Sequence, residues 1–187
     1  MKTENKKITK IKIGAVLSTV LIAGFLSGLN AFAYGPERPT FTDQNPADYV
    51  TFNSITNNPS MGDERNFVRI REAGVGNYVD KIDIVPGKTY EVWTYVHNNA
   101  SETYNAKEHN YKGIALDVRM KATLPATISK GQTARVVSTI SASNSKPLSV
   151  WDEATLTSSQ RNVILNYVQG SAKVATSNGA VKGMGLN

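Results

Sequence analysis

The chain contains no cysteine, only two histidines and only two tryptophans among its 187 residues. Each shortage removes a class of chemistry. Without cysteine there is no disulfide, no thiolate metal site, no cysteine nucleophile and no cysteine to carry a lipid at a processed N-terminus. His97 and His109 stand apart from any HExxH or similar ligand spacing, so a histidine-built metal centre has no basis and no metal ligand set is assigned. Nor does a G-x-S-x-G nucleophile elbow occur. Charged residues make up 19% of the chain, too few for a mainly disordered polyelectrolyte.

Long apolar runs are also scarce, with one exception. The first 33 residues begin with five lysines against one glutamate, continue through the apolar stretch Ile13 to Leu29, and close on Ala31-Phe32-Ala33. A basic start, an apolar centre and a small-x-small end define a helical signal peptide, cut before Tyr34. The competing reading is an uncleaved membrane anchor, because a stretch of 17 residues sits at the lower edge of what spans a bilayer. This segment holds +4 of the formal +6 charge, leaving +2 for the rest. A nucleic-acid partner therefore loses its electrostatic support, and membrane contact is expected only through the leader before cleavage. The destination is outside the cytoplasm, secreted or in the envelope.

Residues 34–48, with three prolines and no periodicity, read as an extended lead-in, and 49–187 as one domain. From Tyr49 the pattern is of short β-rich runs: Tyr49 to Thr56, Asn66 to Glu72, Tyr78 to Val85, and then Lys88 to Asn99 after the Pro86-Gly87 turn. The run Gly113 to Pro125 sets Ile114, Leu116, Val118, Met120, Ala122 and Leu124 in strict alternation with mostly polar residues, the pattern of a half-buried strand. Further strands are expected at Thr133 to Ser143, a short one within Pro147 to Leu156, Arg161 to Val168, and Ser171 to Thr176. The stretch before Gly170 also fits a helical face capped by Ser158 or Ser159, although its β-branched and aromatic content favours a strand. Eight or nine short strands without a convincing helix predict an all-β antiparallel sandwich of two packed sheets.

The segments PGKTYEVWTYVHNNA and GIALDVRMKATLP resemble a bacterial immunoglobulin-like domain found, often repeated, in surface proteins. The matching positions are Pro86-Gly87, Tyr90, Val92, Val96, Asn98, Val118 and Leu124-Pro125. The flanks are similar to secreted proteins of reduced-genome bacteria. The resemblance implies an immunoglobulin-like β-sandwich at the cell surface and transfers no catalytic residue. One copy is present here, where that family often has several.

Alternation places Tyr90, Val92, Thr94 and Val96 on one face of their strand, and Glu91, Trp93, Tyr95 and His97 on the other. Facing solvent, Trp93, Tyr95 and His97 would form a flat platform about 13 Å long, suited to stacking on a sugar or a partner protein. Turned inward, the same rings would be core. Asp43, Asn45 and Asp48, or Asp63 and Glu64 beside Asn57 and Asn58, offer oxygen ligands but lack EF-hand spacing and read as turn formers. Leu124 to Ile128 (LPATI) lacks the glycine and following apolar span of a wall-sorting signal and reads as a strand end.

The expectation from sequence is thus a non-catalytic binding or structural module without cofactor, contacting a cell-surface protein or glycan through Trp93, Tyr95 and His97. Two alternatives stay open: an enzyme on wall polysaccharide using a carboxylate pair, and a self-assembling surface-layer spacer.

Overall fold

A computed structural model describes residues 6–12, 34–176 and 179–182, with side chains described for 34–176. The described chain is built of strands: β1 Lys6–Lys12, β2 Tyr34–Gly35, β3 Val68–Glu72, β4 Lys81–Asp83, β5 Tyr90–His97, β6 Arg119–Thr123, β7 Thr127–Ile128, β8 Gln132–Ser141, β9 Ser149–Ser158, β10 Val163–Ile164, β11 Lys173–Thr176 and β12 Gly179–Lys182. Its helical content is two short 3₁₀ turns, Glu102–Asn105 and Lys107–His109. The helical alternative for 158–168 is not adopted.

One sheet runs β12-β11-β1-β5-β3, and a second runs β2-β9-β8-β6. Pairing is antiparallel throughout, except that β4 lies parallel to β9 beyond the two residues taken by β2. The backbone of the second sheet is the β8–β9 hairpin, paired from Gln132↔Ser158 to Ser141↔Ser149. Both strands alternate, so Val136 and Ile140 of β8 and Val150, Ala154 and Leu156 of β9 are fully buried. They join Val68 and Ile70 of β3 and Tyr90, Val92 and Val96 of β5 in one hydrophobic cluster. Each large aliphatic side chain so buried contributes about 1.5–3 kcal/mol. At the centre of the core, Thr94 and Ser138 satisfy each other across the two sheets at 2.9 Å.

Several expected strands are corrected. The strand expected over Tyr49 to Thr56 does not form: Val50 to Ile55 is buried, but Asn53 takes a φ of 47° and the segment makes only isolated bridges. In Gly113 to Pro125, regular pairing starts at Arg119; Asp117 has a φ of 51°, which breaks the alternation and leaves Ile114, Leu116 and Val118 exposed. The strand expected to be short after Pro147 is the ten-residue β9. The one expected at Arg161 to Val168 shrinks to Val163–Ile164.

Residues 34–48, expected as an extended lead-in, pack against the rest of the fold. Tyr34 and Gly35 pair with Asp152 and Trp151, and a Cβ on Gly35 would lie 2.8 Å from the Trp151 ring, so only glycine fits. Arg38 is buried and donates to Ser54 Oγ, Asn53 O and Pro36 O, while Ala47 is fully enclosed. Arginine donors meeting backbone carbonyls are a contact that hydropathy does not reveal. The apolar stretch and cleavage site at 13–33 lie outside the described residues. Lys6–Lys12 of the expected leader is β1, set between β5 and β11; its Ile8, Thr9 and Ile11 suit a strand.

Candidate functional site

The outer face of β5 carries Glu91, Trp93, Tyr95 and His97, while its even-numbered residues face the core. Tyr78, Trp93, Tyr95 and His97 form a ladder with successive ring centroids 5.9, 6.0 and 6.0 Å apart. The three residues singled out from sequence are therefore brought together, but they do not share one environment. Trp93 and His97 are half-buried, whereas Tyr95 is only 3% exposed. The open three-ring platform is corrected to a ladder whose middle ring is covered.

The cover is the loop 57–64. Asn58 and Gly62 exchange backbone hydrogen bonds of 2.9 and 2.8 Å, and Asn58 Oδ1 accepts from the amides of Ser60 and Met61. Gly62 has a φ of 71°, which a side chain would oppose. This tight loop aims Asn58 Nδ2 and the fully buried Glu64 at β5. Glu64 Oε1 receives Asn58 Nδ2 at 2.5 Å and lies 2.7 Å from His97 Nδ1, with the Tyr95 hydroxyl at 3.4 Å. Its Oε2 receives Asn99 Nδ2 at 2.7 Å. Asn53 joins the assembly to the strand end: its Oδ1 accepts from His97 N and its Nδ2 donates to Tyr95 O.

The tautomer follows from the inventory of donors. A carboxylate has only lone pairs to offer, so His97 Nδ1 carries the proton toward Glu64, and the 3.0 Å approach of Asn99 Nδ2 to that same nitrogen is not a hydrogen bond. The ring then holds its Nε2 away from Glu64, on a side chain that is 19% exposed. A carboxylate–histidine pair of this kind fixes ring orientation, as it does behind many metal-bound and catalytic histidines. Among the described residues, however, no group of three or more His, Cys, Asp or Glu side chains converges on one point.

Among residues 34–176, the arginines beside the ladder are paired with acids. Arg71 binds Glu91 at 2.8 Å and lies 4.4 Å from the Tyr78 ring centroid; the Tyr78 hydroxyl also donates to Glu91. Arg69 approaches Asp80 at 3.5 Å. Burial, with the neighbouring Glu91 adding to it, raises the Tyr78 phenol above its ordinary value.

The oxygen ligands considered from sequence are engaged elsewhere. Asp63 holds Arg65 at 2.6 Å, Asp48 faces Lys112 at 3.7 Å, and Asn45 closes a turn with Thr42. His109 packs its ring on Tyr104, centroids 5.1 Å apart, far along the chain from the ladder. A Ser-x-x-Lys spacing at Ser143 to Lys146, not singled out from sequence, is engaged separately: the hydroxyl donates to Leu116 O and the ammonium lies 5.9 Å from the Tyr49 ring centroid.

Sequence reasoning missed the parts played by Glu64, Asn58, Asn99 and Asp152. Asp152 is 1% exposed on β9, and its Oδ2 accepts from the amides of Phe67 and Val68 at 2.5 and 2.6 Å, fastening the start of β3 to the other sheet. Burial outweighs those donors and pushes its carboxyl up to about 7. Acidic residues in a loop and in an alternating strand carry no local mark of such burial.

Compared with known families, curated proteins and solved structures, the chain matches none.

Proposed function

We propose that this protein is a secreted or envelope-associated binding module of immunoglobulin-like sandwich architecture, holding a cell-surface glycan through the Trp93–His97 end of its aromatic ladder and catalysing no reaction. The two sheets share one core, in keeping with a sandwich. The observation that carries the binding role is the ladder itself. Tyr78, Trp93, Tyr95 and His97 are spaced at about 6 Å on an outer sheet face, and Arg71 and Arg69 beside them are matched by Glu91 and Asp80. The half-buried rings of Trp93 and His97, on either side of the covered Tyr95, suit the apolar face and the hydroxyls of a sugar. The Nε2 of His97, oriented through Glu64, suits a sugar hydroxyl, which can both donate and accept.

The roles then divide. Trp93 stacks on the ligand, His97 hydrogen-bonds to it, and the covered Tyr95 holds both in place. The test is titration of neutral wall oligosaccharides and isolated envelope against the wild type and Trp93→Ala, read by calorimetry. About tenfold weaker binding is expected for the variant, corresponding to ~1.4 kcal/mol of stacking. Equal affinity in the two proteins overturns the reading.

A further inference from the structure

The turn at Asp117 creates a second surface, remote in sequence from the ladder. Ile114, Leu116 and Val118 are 42%, 54% and 37% exposed, and Tyr111 is 51% exposed. Between this segment and the end of β5 lies a cleft of about 150 Å³, floored by Phe52 and Val96 and walled by Ile114, Ala115 and Val118. That volume matches cavities that hold a benzene-sized apolar group. Asn98 and Asn105 also border it. Asn98 is satisfied, donating to Gly113 O and accepting from Ala100 N. Asn105 Oδ1 is buried without a hydrogen-bond partner, an arrangement that ordinarily costs free energy and calls for an explanation.

β6 follows directly after Val118. It pairs with β8 on one side and, among the described residues, ends its sheet on the other, so its far edge offers backbone groups for an added strand. Arg119 and Lys121 are exposed on this edge, and neither has an acidic partner within 4.0 Å among the described residues. We propose that this edge receives an extended acidic segment of another protein, which pairs with β6 as an additional strand and sets an aliphatic side chain in the Phe52–Val96 cleft. Charge decides the partner's chemistry. A second copy pairing antiparallel about Lys121 would set Lys121 against Lys121, and about Met120 would set Arg119 against Lys121; both registers place cation opposite cation. An acidic strand in the same place meets a cation at each of these positions.

The test uses the full chain and acetylated octapeptides alternating glutamate with valine, followed by NMR shifts and titration at low salt. Shifts are expected at the amides of Gly113, Val118 and β6 and at the Asn105 side chain. The glutamate peptide should bind at least tenfold more tightly than its lysine counterpart. Of two acidic peptides N-methylated on opposite alternate residues, one should lose binding, because one set of amides faces β6. Arg119→Glu with Lys121→Glu, both exposed changes that should leave the melting temperature in place, should reverse the charge preference. Absence of binding at millimolar peptide, equal binding of the two charge forms, or indifference to both methylation patterns overturns strand addition; the last outcome leaves mere charge attraction. Trp93→Ala should leave these titrations unchanged, so this proposal and the glycan reading fail independently.

Discussion

At the scale of single residues, two buried acids look alike and predict opposite responses to amide replacement. Asp152 takes both of its short backbone bonds on one oxygen, Oδ2. Asparagine can place its own carbonyl oxygen there, so Asp152→Asn should fold with little loss. The pH dependence gives a sharper prediction. The fold raises this carboxyl from 3.8 to about 7, burial being the largest cause, so the native state keeps a proton that the unfolded chain has released. Its stabilising contribution is complete below about pH 4 and disappears as pH rises toward 7. The wild type should therefore lose about 2–4 kcal/mol relative to Asp152→Asn over that range, checked by urea unfolding of both proteins at each pH. Glu64 differs because donors meet both of its oxygens: Asn58 and His97 at Oε1, Asn99 at Oε2. Glutamine would turn an NH₂ toward one of these donors. Glu64→Gln should cost about 1–3 kcal/mol in spite of its matching shape, measured by the same denaturation.

At the scale of elements, β5 explains why the ladder cannot be treated as three equivalent rings. Trp93 is half-buried and Tyr95 almost wholly enclosed by the 57–64 loop. Tyr95→Ala should cost about 3–5 kcal/mol, as a buried aromatic does. Trp93→Ala should cost distinctly less; thermal melts of the two single variants check the order. The double substitution would confound lost binding with lost fold. The two faces of β5 were legible because alternation is a local property of the strand; that Tyr90, Val92, Thr94 and Val96 form the buried set was decided by the fold. What covers Tyr95 was not legible, because the covering residues are polar and lie more than thirty positions away. The reverse applies to Gly113 to Pro125. Six alternating apolar residues gave the strongest strand signal in the chain, yet a positive φ at Asp117 and a place at the sheet's end leave half of them exposed.

At the scale of the whole molecule, residues 34–48 belong to the folded body. The Arg38 guanidinium, which burial and the nearby Arg65 push down to about 10, remains charged at neutral pH and is satisfied by Ser54 and backbone carbonyls. Limited proteolysis should thus leave Tyr34–Asp48 attached under native conditions, with fragments sized by mass spectrometry; Arg38→Ala should make this segment cleavable by removing its tether. The same mass measurement on exported material bears on β1. Cleavage before Tyr34 would remove Lys6–Lys12 and leave the facing edges of β5 and β11 to another neighbour or to solvent.

The sequence by itself determined the strand-dominated class and the two faces of β3 and β5, because a period of two is written into neighbouring residues. It also placed Trp93, Tyr95 and His97 on one side of one strand. Only the tertiary structure decided which of those rings is covered, that Glu64 and Asp152 are sealed from water, that the Tyr34 segment is structural, and that Ile114 to Val118 faces outward. These outcomes depend on contacts between distant parts of the chain and on single backbone dihedrals, and neither is encoded in local periodicity.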